Sequence, residues 1–339
     1  MSVDLASHAD AVPEPVVEAI RTSRRILVAT HENHDADTIG AALAIALIVD
    51  HGGGRATPVC SDPIPTLYDF LPGIERFRTD PEPAEAYDLL VVCDCGTLDR
   101  IGAVRDRHRA LFEGLPRVVI DHHLSNDGSG PTDWIDPASA ATCEMVALLA
   151  ARLGVPLDAD GGALATALMA GIVMDTATFA HPNATPRTLA VSAALVEAGA
   201  PLSDISRRLY RTKPDAQLRL FGRVLDRLET AADGRVIWST LLERDLVETG
   251  SDAAHSEGLI DLLAQSERAE VAILFKESGD ATRISVRTKA GGVDAIELTG
   301  RFGGGGHARA AGATVALPVD EARAVVLAEA ERLASSVAR

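Results

Sequence analysis

Residues 26–37 decide the fold, and they read ILVATHENHDAD. The apolar run at the start of this stretch is typical of a strand that is buried on both faces of a parallel sheet. The acidic residues and histidines that follow stand where such a strand ends. An alanine-rich helical run then continues to the glycines at 52–54. A strand, a polar loop and a helix in this order predict an α/β fold, with its functional residues beyond the end of the strand.

The same order recurs along the first 200 residues of the chain. Apolar runs at 89–93 and 118–120 alternate with helix-like runs at 138–154, 163–174 and 186–199, which favours a parallel sheet covered on both sides. A polar, arginine-rich stretch around 203–230, interrupted at Pro214, predicts a helical connector. Strand-like runs return at 236–240, 271–275, 282–286 and 313–317, with helices near 256–265 and 320–335. We therefore expect domains at residues 1–205 and 233–339, joined by a connector at 206–232.

The composition narrows the range of partners. The chain has 339 residues, 32 Lys+Arg against 49 Asp+Glu, a net charge of -17, and 4% aromatic residues. This acidity opposes non-specific adhesion to nucleic acid or to an anionic membrane, and the few aromatic residues leave little on which a long single strand could stack. An anionic ligand would need local positive charge, which divalent cations bound by acidic residues can supply.

The cysteines and the apolar runs bear on location. Cys60, Cys93, Cys95 and Cys143 show no paired framework, which is typical of a reduced cytosolic protein, and we expect Cys93 and Cys95 to be packing residues. The N-terminus lacks a basic-then-apolar signal pattern, and the longest apolar run, at residues 39–49, is too short to span a bilayer. These features predict a cytoplasmic protein.

Four segments end in residues that can bind metal. Carboxylates crowded at one edge of a sheet must protonate or bind cations, and histidines among them favour metal. Mixed oxygen and imidazole ligands suit Mn²⁺, Mg²⁺, Fe²⁺ or Co²⁺ better than zinc. Two ions roughly 3.5–4 Å apart would need about six or seven side chains with a bridging carboxylate. The residues that follow the strands or end the apolar helix are His31, Asp35, Asp37, Asp94, Asp121, His122, His123 and Asp175.

Each of these residues also has a plainer interpretation. An aspartate after a strand is often only the N-cap of the next helix, and Asp37 is the clearest such case by spacing. A lone pair of histidines, such as His122 and His123, is more often part of the surface or the core. The coincidence of four segments favours the metal site over these separate explanations.

The residues resemble the DHH phosphoesterase superfamily, and specifically its nanoRNase and pAp phosphatase branch. The resemblance covers nearly the whole chain. Departures occur at Ala41, where serine is common, and at His34, where the family usually has proline. The change at His34 should alter the stiffness of the loop more than metal ligation, and an extra imidazole beside the metals is the alternative. The motifs are His31-x-x-x-Asp35-x-Asp37-x-Ile39-Gly40, Asp94 with Asp99-Arg100-Ile101-Gly102, Asp121-His122-His123, and Asp175-Thr176 with Phe179.

The resemblance implies a fold and a role for each residue. The fold is an N-terminal DHH domain with a mainly parallel five-stranded sheet flanked by helices, plus a smaller C-terminal α/β domain with a mixed sheet. Two divalent ions, foremost Mn²⁺ with Mg²⁺ or Co²⁺ as alternatives, would lower the pKa of a shared water and neutralise phosphate oxygens. His31 and Asp35 would hold one ion, Asp37, His122 and Asp175 the other, and Asp94 both, while Asp121 would support the site and His123 would face the phosphate.

A glycine-rich loop lies near the C-terminus, at residues 302–312, and reads FGGGGHARAAG. Consecutive glycines let backbone N–H groups converge on an anion, and a helical turn after them would add a favourable dipole. The plainer interpretation is a flexible turn. The loop and the upstream stretch RTK at 287–289 resemble the DHH-associated C-terminal domain, whose loop grips substrate across a cleft from the metals. This implies substrate binding by Arg287, Gly305, Gly306 and His307, whereas Arg283 is at least as easily explained as a surface charge.

The predicted activity is metal-dependent hydrolysis of short oligoribonucleotides such as pApA to mononucleotides, or of 3'-phosphoadenosine 5'-phosphate (pAp) to AMP. Cyclic di-AMP hydrolysis is a close alternative within the same class, and a manganese inorganic pyrophosphatase is a further one. A nucleotide-sensing protein with a decayed site is the non-enzymatic alternative, but it should show substituted ligands, and none of the matched positions is substituted. The predicted partners are short RNA or nucleotides, without long nucleic acid or membrane, and the resemblance implies a homodimer.

Overall fold

The computed structural model describes residues 5–82, 87–126, 128 and 130–337. The chain divides into two compact units, Met1–Thr212 and Lys213–Arg339. This division falls inside the connector predicted at 206–232. The predicted domain limits stay a prediction, and their outermost residues, 1–4 and 338–339, lie outside the described residues.

The first unit is built on a fully parallel five-stranded sheet. Its strands are β1 (Arg25–Ala29), β2 (Arg55–Val59), β3 (Leu89–Cys93), β4 (Arg117–Asp121) and β5 (Asp133–Ile135), in the order β2-β1-β3-β4-β5. The direction of winding changes between β1 and β3, and sheets of this kind bind ligands beyond the carboxyl ends of the strands at that point. The predicted sheet is confirmed. Our sequence analysis missed β2, an edge strand that contains Pro58, and β5, which has only three residues.

Helices cover both faces of this sheet. One face packs against α3, α6 and α7 in a core that includes Val28, Leu43 and Leu168, and the other packs against residues such as Val104 and Phe112 of α4 and α5. A π-helical turn at Arg207–Arg211 ends the unit. The helices are α1 (Ala6–Ala9), α2 (Glu14–Thr22), α3 (Ala36–His51), α4 (Ala103–Arg107), α5 (Arg109–Gly114), α6 (Thr142–Leu153), α7 (Ala159–Asp175), α8 (Pro186–Glu197) and α9 (Leu202–Ser206).

Within the described ranges, no single helix is long and apolar enough to cross a membrane. By length and composition alone, α8 and the segment Leu202–Arg211 pass such a test together, as a pair bent by 113°.

The second unit contains a mixed six-stranded sheet, as predicted. Its strands lie in the order β10-β11-β9-β8-β7-β6; β7 and β8 are parallel and the other neighbours antiparallel. Apolar clusters cover both faces, with Ile273 and Val326 in one and Leu220 and Leu274 in the other. The strands are β6 (Glu229–Ala231), β7 (Val236–Leu241), β8 (Val271–Ser278), β9 (Ala281–Thr288), β10 (Gly305–His307) and β11 (Ala310–Val315), and the helices are α10 (Asp215–Asp226), α11 (Glu243–Thr249), α12 (Leu259–Leu263), α13 (Ala295–Gly300) and α14 (Val319–Val337).

The glycine-rich loop forms a β-hairpin, so the predicted helical turn after the glycines is wrong. Strand β10 pairs with β11, and Gly306 lies opposite Ala311. Gly306 has a φ of 146°, and a Cβ added to it would lie 2.5 Å from the carbonyl oxygen of Ala310. Glycine is therefore required here by the close approach of two backbones, and the chain continues after the glycines as β11 rather than as a helix.

Candidate metal centre

The structure brings the predicted ligands of the first unit together at the carboxyl ends of β1, β3 and β4 and at the end of α7. The donor atoms form three groups, and within each group they lie within 4.8 Å of one another. No cysteine takes part in such a group within the described part of the chain. The groups are His31–Asp35–Asp94, Asp37–His122–Asp175 and Asp94–His122–His123.

Asp94 connects the first two groups through opposite oxygens. Its Oδ2 lies 3.5 Å from Nε2 of His31, and its Oδ1 lies 3.5 Å from Nε2 of His122. The backbone of Asp94 is left-handed, with a φ of 57°, a conformation that aspartate tolerates better than most residues. Burial alone would raise the pKa of Asp94, but hydrogen bonds to His122 and His31 outweigh burial and lower it.

Asp35 and Asp37 have different roles at the start of α3: Asp35 caps the helix, and Asp37 accepts hydrogen bonds from α6. Oδ1 of Asp35 caps the helix by accepting from the N–H groups of Asp37 and Thr38, both at 3.0 Å, while its Oδ2 lies 3.8 Å from Nε2 of His31. The interpretation of Asp37 as the N-cap of α3 is therefore wrong, because Asp35 is the N-cap. Asp37 is fully buried, and its two oxygens accept from the N–H groups of Thr142 at 2.7 Å and Cys143 at 2.9 Å.

His122 is surrounded by carboxylates on one edge and by a carbonyl on the other. Its Nε2 lies 3.1 Å from Oδ2 of Asp175 and 3.9 Å from Oδ2 of Asp37, and its Nδ1 lies 3.3 Å from the carbonyl oxygen of Ser139. Burial would lower the pKa of His122, but the bonds to Asp175 and Asp94 raise it to about 12. Burial raises the pKa of Asp175 to about 6.

The crowded carboxylates of the cluster favour binding of a cation. Burial, followed by the charge of Asp94, raises the pKa of Asp35 and of Asp37. Like charges that are forced together in this way are relieved by protonation or by a bound cation. The donors are carboxylate oxygens and imidazole nitrogens, which suit first-row divalent ions. These side chains are therefore positioned to bind metal.

Asp121 and His123 form a separate pair at the border of the cluster. Asp121 is fully buried; its Oδ1 lies 2.7 Å from Nδ1 of His123, and its Oδ2 accepts from Nδ2 of Asn126 at 2.7 Å. The hydrogen bond to Asp121 raises the pKa of His123. Nδ1 of His123 also lies 3.5 Å from Oδ1 of Asp94. Asp121 thus orients His123, and Asn126, which the sequence analysis missed, orients Asp121.

A left-handed turn follows Asp175 directly. Ala177, Thr178 and Phe179 have φ values of 47°, 57° and 64°, a conformation that costs roughly 1–2 kcal/mol for each non-glycine residue. Two bonds hold the turn: the N–H of Thr178 donates to the carbonyl of Val173 at 2.9 Å, and the N–H of Phe179 donates to Oγ1 of Thr176 at 3.0 Å. The turn ends α7 at the residue that carries the carboxylate.

Two helical glycines make room for the cluster: Gly40 belongs to the first sequence motif, whereas Gly171 was not singled out, and a packing role was predicted for neither. A Cβ on Gly171 of α7 would overlap Oδ1 of Asp37 and Sγ of Cys143, and one on Gly40 of α3 would overlap the carbonyl oxygen of Ala167. A lone glycine inside a buried helical run was the signal that could have identified them. The two helices approach closely because neither glycine carries a side chain.

His34 lies outside the three donor groups. Its side chain is buried, and its Nε2 has no hydrogen-bond partner within the described residues. Burial and the charge of His31 lower the pKa of His34 to about 4, which keeps its ring neutral at physiological pH. We have no structural explanation for an imidazole at this position.

The predicted substrate-binding residues all lie in the second unit. Nε of Arg287 donates to Oδ1 of Asp261 at 2.8 Å, while Gly305, Gly306 and His307 lie exposed on β10.

A cavity of about 550 Å³ opens on the same sheet. Lys276, Arg283, Ser285, Gly304 and Thr314 are among its lining residues. Burial, and then the charge of Arg283, lowers the pKa of Lys276. Arg283 and Lys276 therefore line the cavity together with one carboxylate, that of Glu277, and Lys276 is a cation that the sequence analysis missed.

Comparison with known proteins identifies the family. Residues 25–172 match the DHH family, N-terminal domain, and residues 233–336 match the DHHA1 domain. The chain belongs to the DHH family of phosphoesterases and is a hydrolase. It is 33% identical, over 89% of its length and 88% of the relative, to the bifunctional oligoribonuclease and PAP phosphatase NrnA of Thermus thermophilus. The protein of the same name from Bacillus subtilis is 28% identical over 70% of this chain and 74% of its own.

A solved structure agrees with the fold. An exopolyphosphatase-related protein from Bacteroides fragilis superimposes with a TM-score of 0.81, covering 97% of this chain and 98% of its own, at 21% identity. At this identity the likeness bears on the fold alone. The family resemblance predicted from the sequence motifs is confirmed by the family matches.

Proposed function

We propose that the protein hydrolyses short oligoribonucleotides such as pApA to mononucleotides and pAp to AMP, with two divalent ions, foremost Mn²⁺. The observation that carries the proposal is the position of Asp94, which offers one oxygen to His31 and the other to His122, each at 3.5 Å. The names of the two NrnA relatives, oligoribonuclease and PAP phosphatase, support the substrate class. A homodimer, which the family resemblance implies, and a cytoplasmic location, which the sequence predicts, belong to the same proposal.

Six side chains would hold the ions. When bound, the ions would supply positive charge to the phosphate oxygens and make a water more acidic. The protein fixes its ligands beforehand: the carbonyl of Ser139 holds His122 so that Nε2 faces the carboxylates, and the helix cap uses one oxygen of Asp35 and leaves the other free. His31 and Asp35 would take one position, Asp37, His122 and Asp175 the other, and Asp94 both.

His123 is the residue that we assign to the substrate phosphate. Asp121 accepts from its Nδ1, and this hydrogen bond raises the pKa of His123, which favours the protonated form of the ring. The Nε2–H is then available to donate to a phosphoryl oxygen or to the leaving oxygen. Asp121 acts through His123, so it is a positioning residue.

The second unit carries the residues that we assign to substrate binding. The proposed contacts are Arg287, Gly305, Gly306 and His307, and the cavity on the same sheet adds two cations, Lys276 and Arg283, beside Glu277. Its volume of about 550 Å³ lies within the usual range of roughly 300–1,000 Å³ for small-molecule sites. A cavity of this size favours a short substrate over a long strand.

The proposal is tested by turnover of purified protein with Mn²⁺ on pApA, a five-nucleotide RNA, pAp, cyclic di-AMP and pyrophosphate. We expect hydrolysis of pApA or pAp well above that of pyrophosphate. Preferred cleavage of cyclic di-AMP or of pyrophosphate would favour those alternatives. If none of the five compounds is hydrolysed although metal is bound, the proposed enzymatic activity is contradicted and a nucleotide sensor is favoured.

A further inference from the structure

Glu144 is a fully buried carboxylate on α6 that has no part in the proposed chemistry. Its Oε1 accepts from Nε of Arg187 at 2.5 Å, and its Oε2 accepts from Oγ1 of Thr188 at 2.8 Å and from the N–H of Ala140 at 3.1 Å. Burying a charge costs several kcal/mol per ion, and removal of one partner leaves the other uncompensated. The carboxylate is retained inside the protein only together with these donors.

Arg187, at the start of α8, connects both ends of the segment 136–144. Besides Glu144, it reaches Oδ2 of Asp136 at 2.9 Å and Oγ of Ser139 at 2.7 Å through Nη2. One guanidinium thus holds three side chains of the segment. The planar, rigid arrangement of its donors suits such a task better than a lysine would.

The segment in turn contacts the candidate metal centre. The carbonyl of Ser139 lies 3.3 Å from Nδ1 of His122, and the N–H groups of Thr142 and Cys143 donate to Asp37 at 2.7 and 2.9 Å. Oγ1 of Thr142 also donates to Oδ1 of Asp94 at 3.1 Å. Asp94 presents this same oxygen to His122.

Asn183 extends the connection to the remaining ligand of that group. Its Nδ2 lies 3.1 Å from the carbonyl oxygen of Ala140 and 3.3 Å from that of Asp175. Within the described part of the chain, no hydrogen bond runs directly from segment 136–144 to the side chains of His31 or Asp35, and Thr142 contacts the oxygen of Asp94 that faces away from His31. The direct hydrogen bonds from segment 136–144 therefore support His122 and Asp37, and not His31 or Asp35.

We infer that the Arg187–Glu144 pair positions one of the two metal sites, the one formed by Asp37, His122 and Asp175, and leaves the His31–Asp35 site nearly unaffected. The inference rests on the proposed two-metal function. Partners behind metal ligands typically contribute about 10–100-fold to metal affinity. Loss of the pair should therefore lower the affinity for one of the two ions by that factor. It should also lower kcat more than it changes KM.

The test is a Mn²⁺ titration of the full chain, with free ion counted by electron paramagnetic resonance, for wild type, Arg187→Met and Arg187→Lys. We expect two sites in the wild type, one site weakened about 10–100-fold in Arg187→Met, and partial recovery in Arg187→Lys. Circular dichroism and melting curves establish that each variant is folded. If Arg187→Met does not fold, Glu144→Gln takes its place, because it keeps the size of the side chain while it removes the charge and one of the two acceptor oxygens.

A matched control lies in the second unit. Arg227 donates to both oxygens of the buried Asp245, at 2.5 and 2.6 Å, so Arg227→Met breaks a pair of the same kind away from the segment 136–144. It should lower stability and leave both metal affinities unchanged.

Three outcomes would overturn the inference: unchanged affinities in Arg187→Met, equal weakening of both sites, or the same selective loss in Arg227→Met. A wild-type chain that binds fewer than two ions would contradict the proposed function itself.

Discussion

Oδ2 of Asp94 lies 3.5 Å from Nε2 of His31, on the opposite side of the carboxylate from His122. An asparagine in place of Asp94 keeps the shape but has only one oxygen, so it can serve only one of the two groups. We expect Asp94→Asn to lower turnover of pApA by about 10²- to 10³-fold, the scale of the loss of a key electrostatic contact. Its melting temperature should fall, because Asp94 loses the charged contacts to His122 and His31 that lower its pKa in the folded protein, and circular dichroism establishes that the variant is still folded. Near-native rates in this variant would refute the bridging role.

Metal binding should release protons. The pKa of His122 is raised to about 12 in the metal-free protein, so the ring is protonated at neutral pH, whereas a metal ligand must be neutral. Because the folded pKa lies above the ordinary value of 6.5, binding displaces a proton and the affinity rises with pH. Calorimetry at pH 7 in buffers of different ionisation enthalpy should give at least about one proton released per chain. A pH-independent affinity without proton release would argue against His122 as a ligand.

His123→Ala separates a catalytic role from a ligand role. If His123 acts on the phosphate, kcat should fall about 10²- to 10⁴-fold while Mn²⁺ stoichiometry stays that of the wild type. Asp121→Asn should lower kcat to a smaller extent, because it changes only the orientation of the ring. Loss of a bound ion in His123→Ala would instead make His123 a ligand, as its 3.5 Å distance to Asp94 also allows.

Gly171→Ala should damage the metal centre by crowding. The added Cβ would overlap Oδ1 of Asp37 and lie 2.9 Å from its Cα, so the whole residue must move. We expect a loss of stability of about 1–3 kcal/mol together with weaker Mn²⁺ binding.

Gly222→Ala is the matched control for this change. Gly222 is exposed on α10, and a Cβ there meets nothing within 4 Å, so alanine should stabilise the protein by roughly 0.5–1 kcal/mol. Chemical denaturation and metal titration distinguish the two variants. Unchanged metal binding in Gly171→Ala would contradict the packing argument.

His307→Ala and Arg287→Ala test the substrate contacts in the second unit. Each should raise KM or lower kcat for pApA by roughly tenfold, the scale of one lost hydrogen bond to a charged group. Arg287 is also paired with Asp261 at 2.8 Å, so Asp261→Asn is measured beside it to separate loss of the pair from loss of the cation. If neither kinetic parameter moves in either variant, the hairpin is only structural.

The sheet and the ligand set could be predicted from the sequence because both are local patterns. His31, Asp94 and Asp121 each stand at or just beyond the end of a buried strand, and parallel strands deliver such residues to one edge. The resemblance to the DHH family then assigned each residue a role. The structure places all six predicted ligands together, although the roles stay proposals.

The rest depended on contacts between distant parts of the chain. Glu144 and Arg187 are 43 positions apart, and nothing in either local pattern indicates that they meet. The cap on Asp35, rather than Asp37, depends on the backbone direction at the start of α3, which spacing does not determine. The glycine loop forms a hairpin in which Gly306 pairs with Ala311 of β11. A run of glycines does not indicate such a pairing.

The most direct test of the two-metal account is a crystal structure of the Mn²⁺-loaded protein with anomalous diffraction recorded near the manganese absorption edge. We predict two anomalous peaks, one next to each carboxylate oxygen of Asp94, with His31 and Asp35 beside the first and Asp37, His122 and Asp175 beside the second. A single peak, or two peaks that do not share Asp94, would contradict the account.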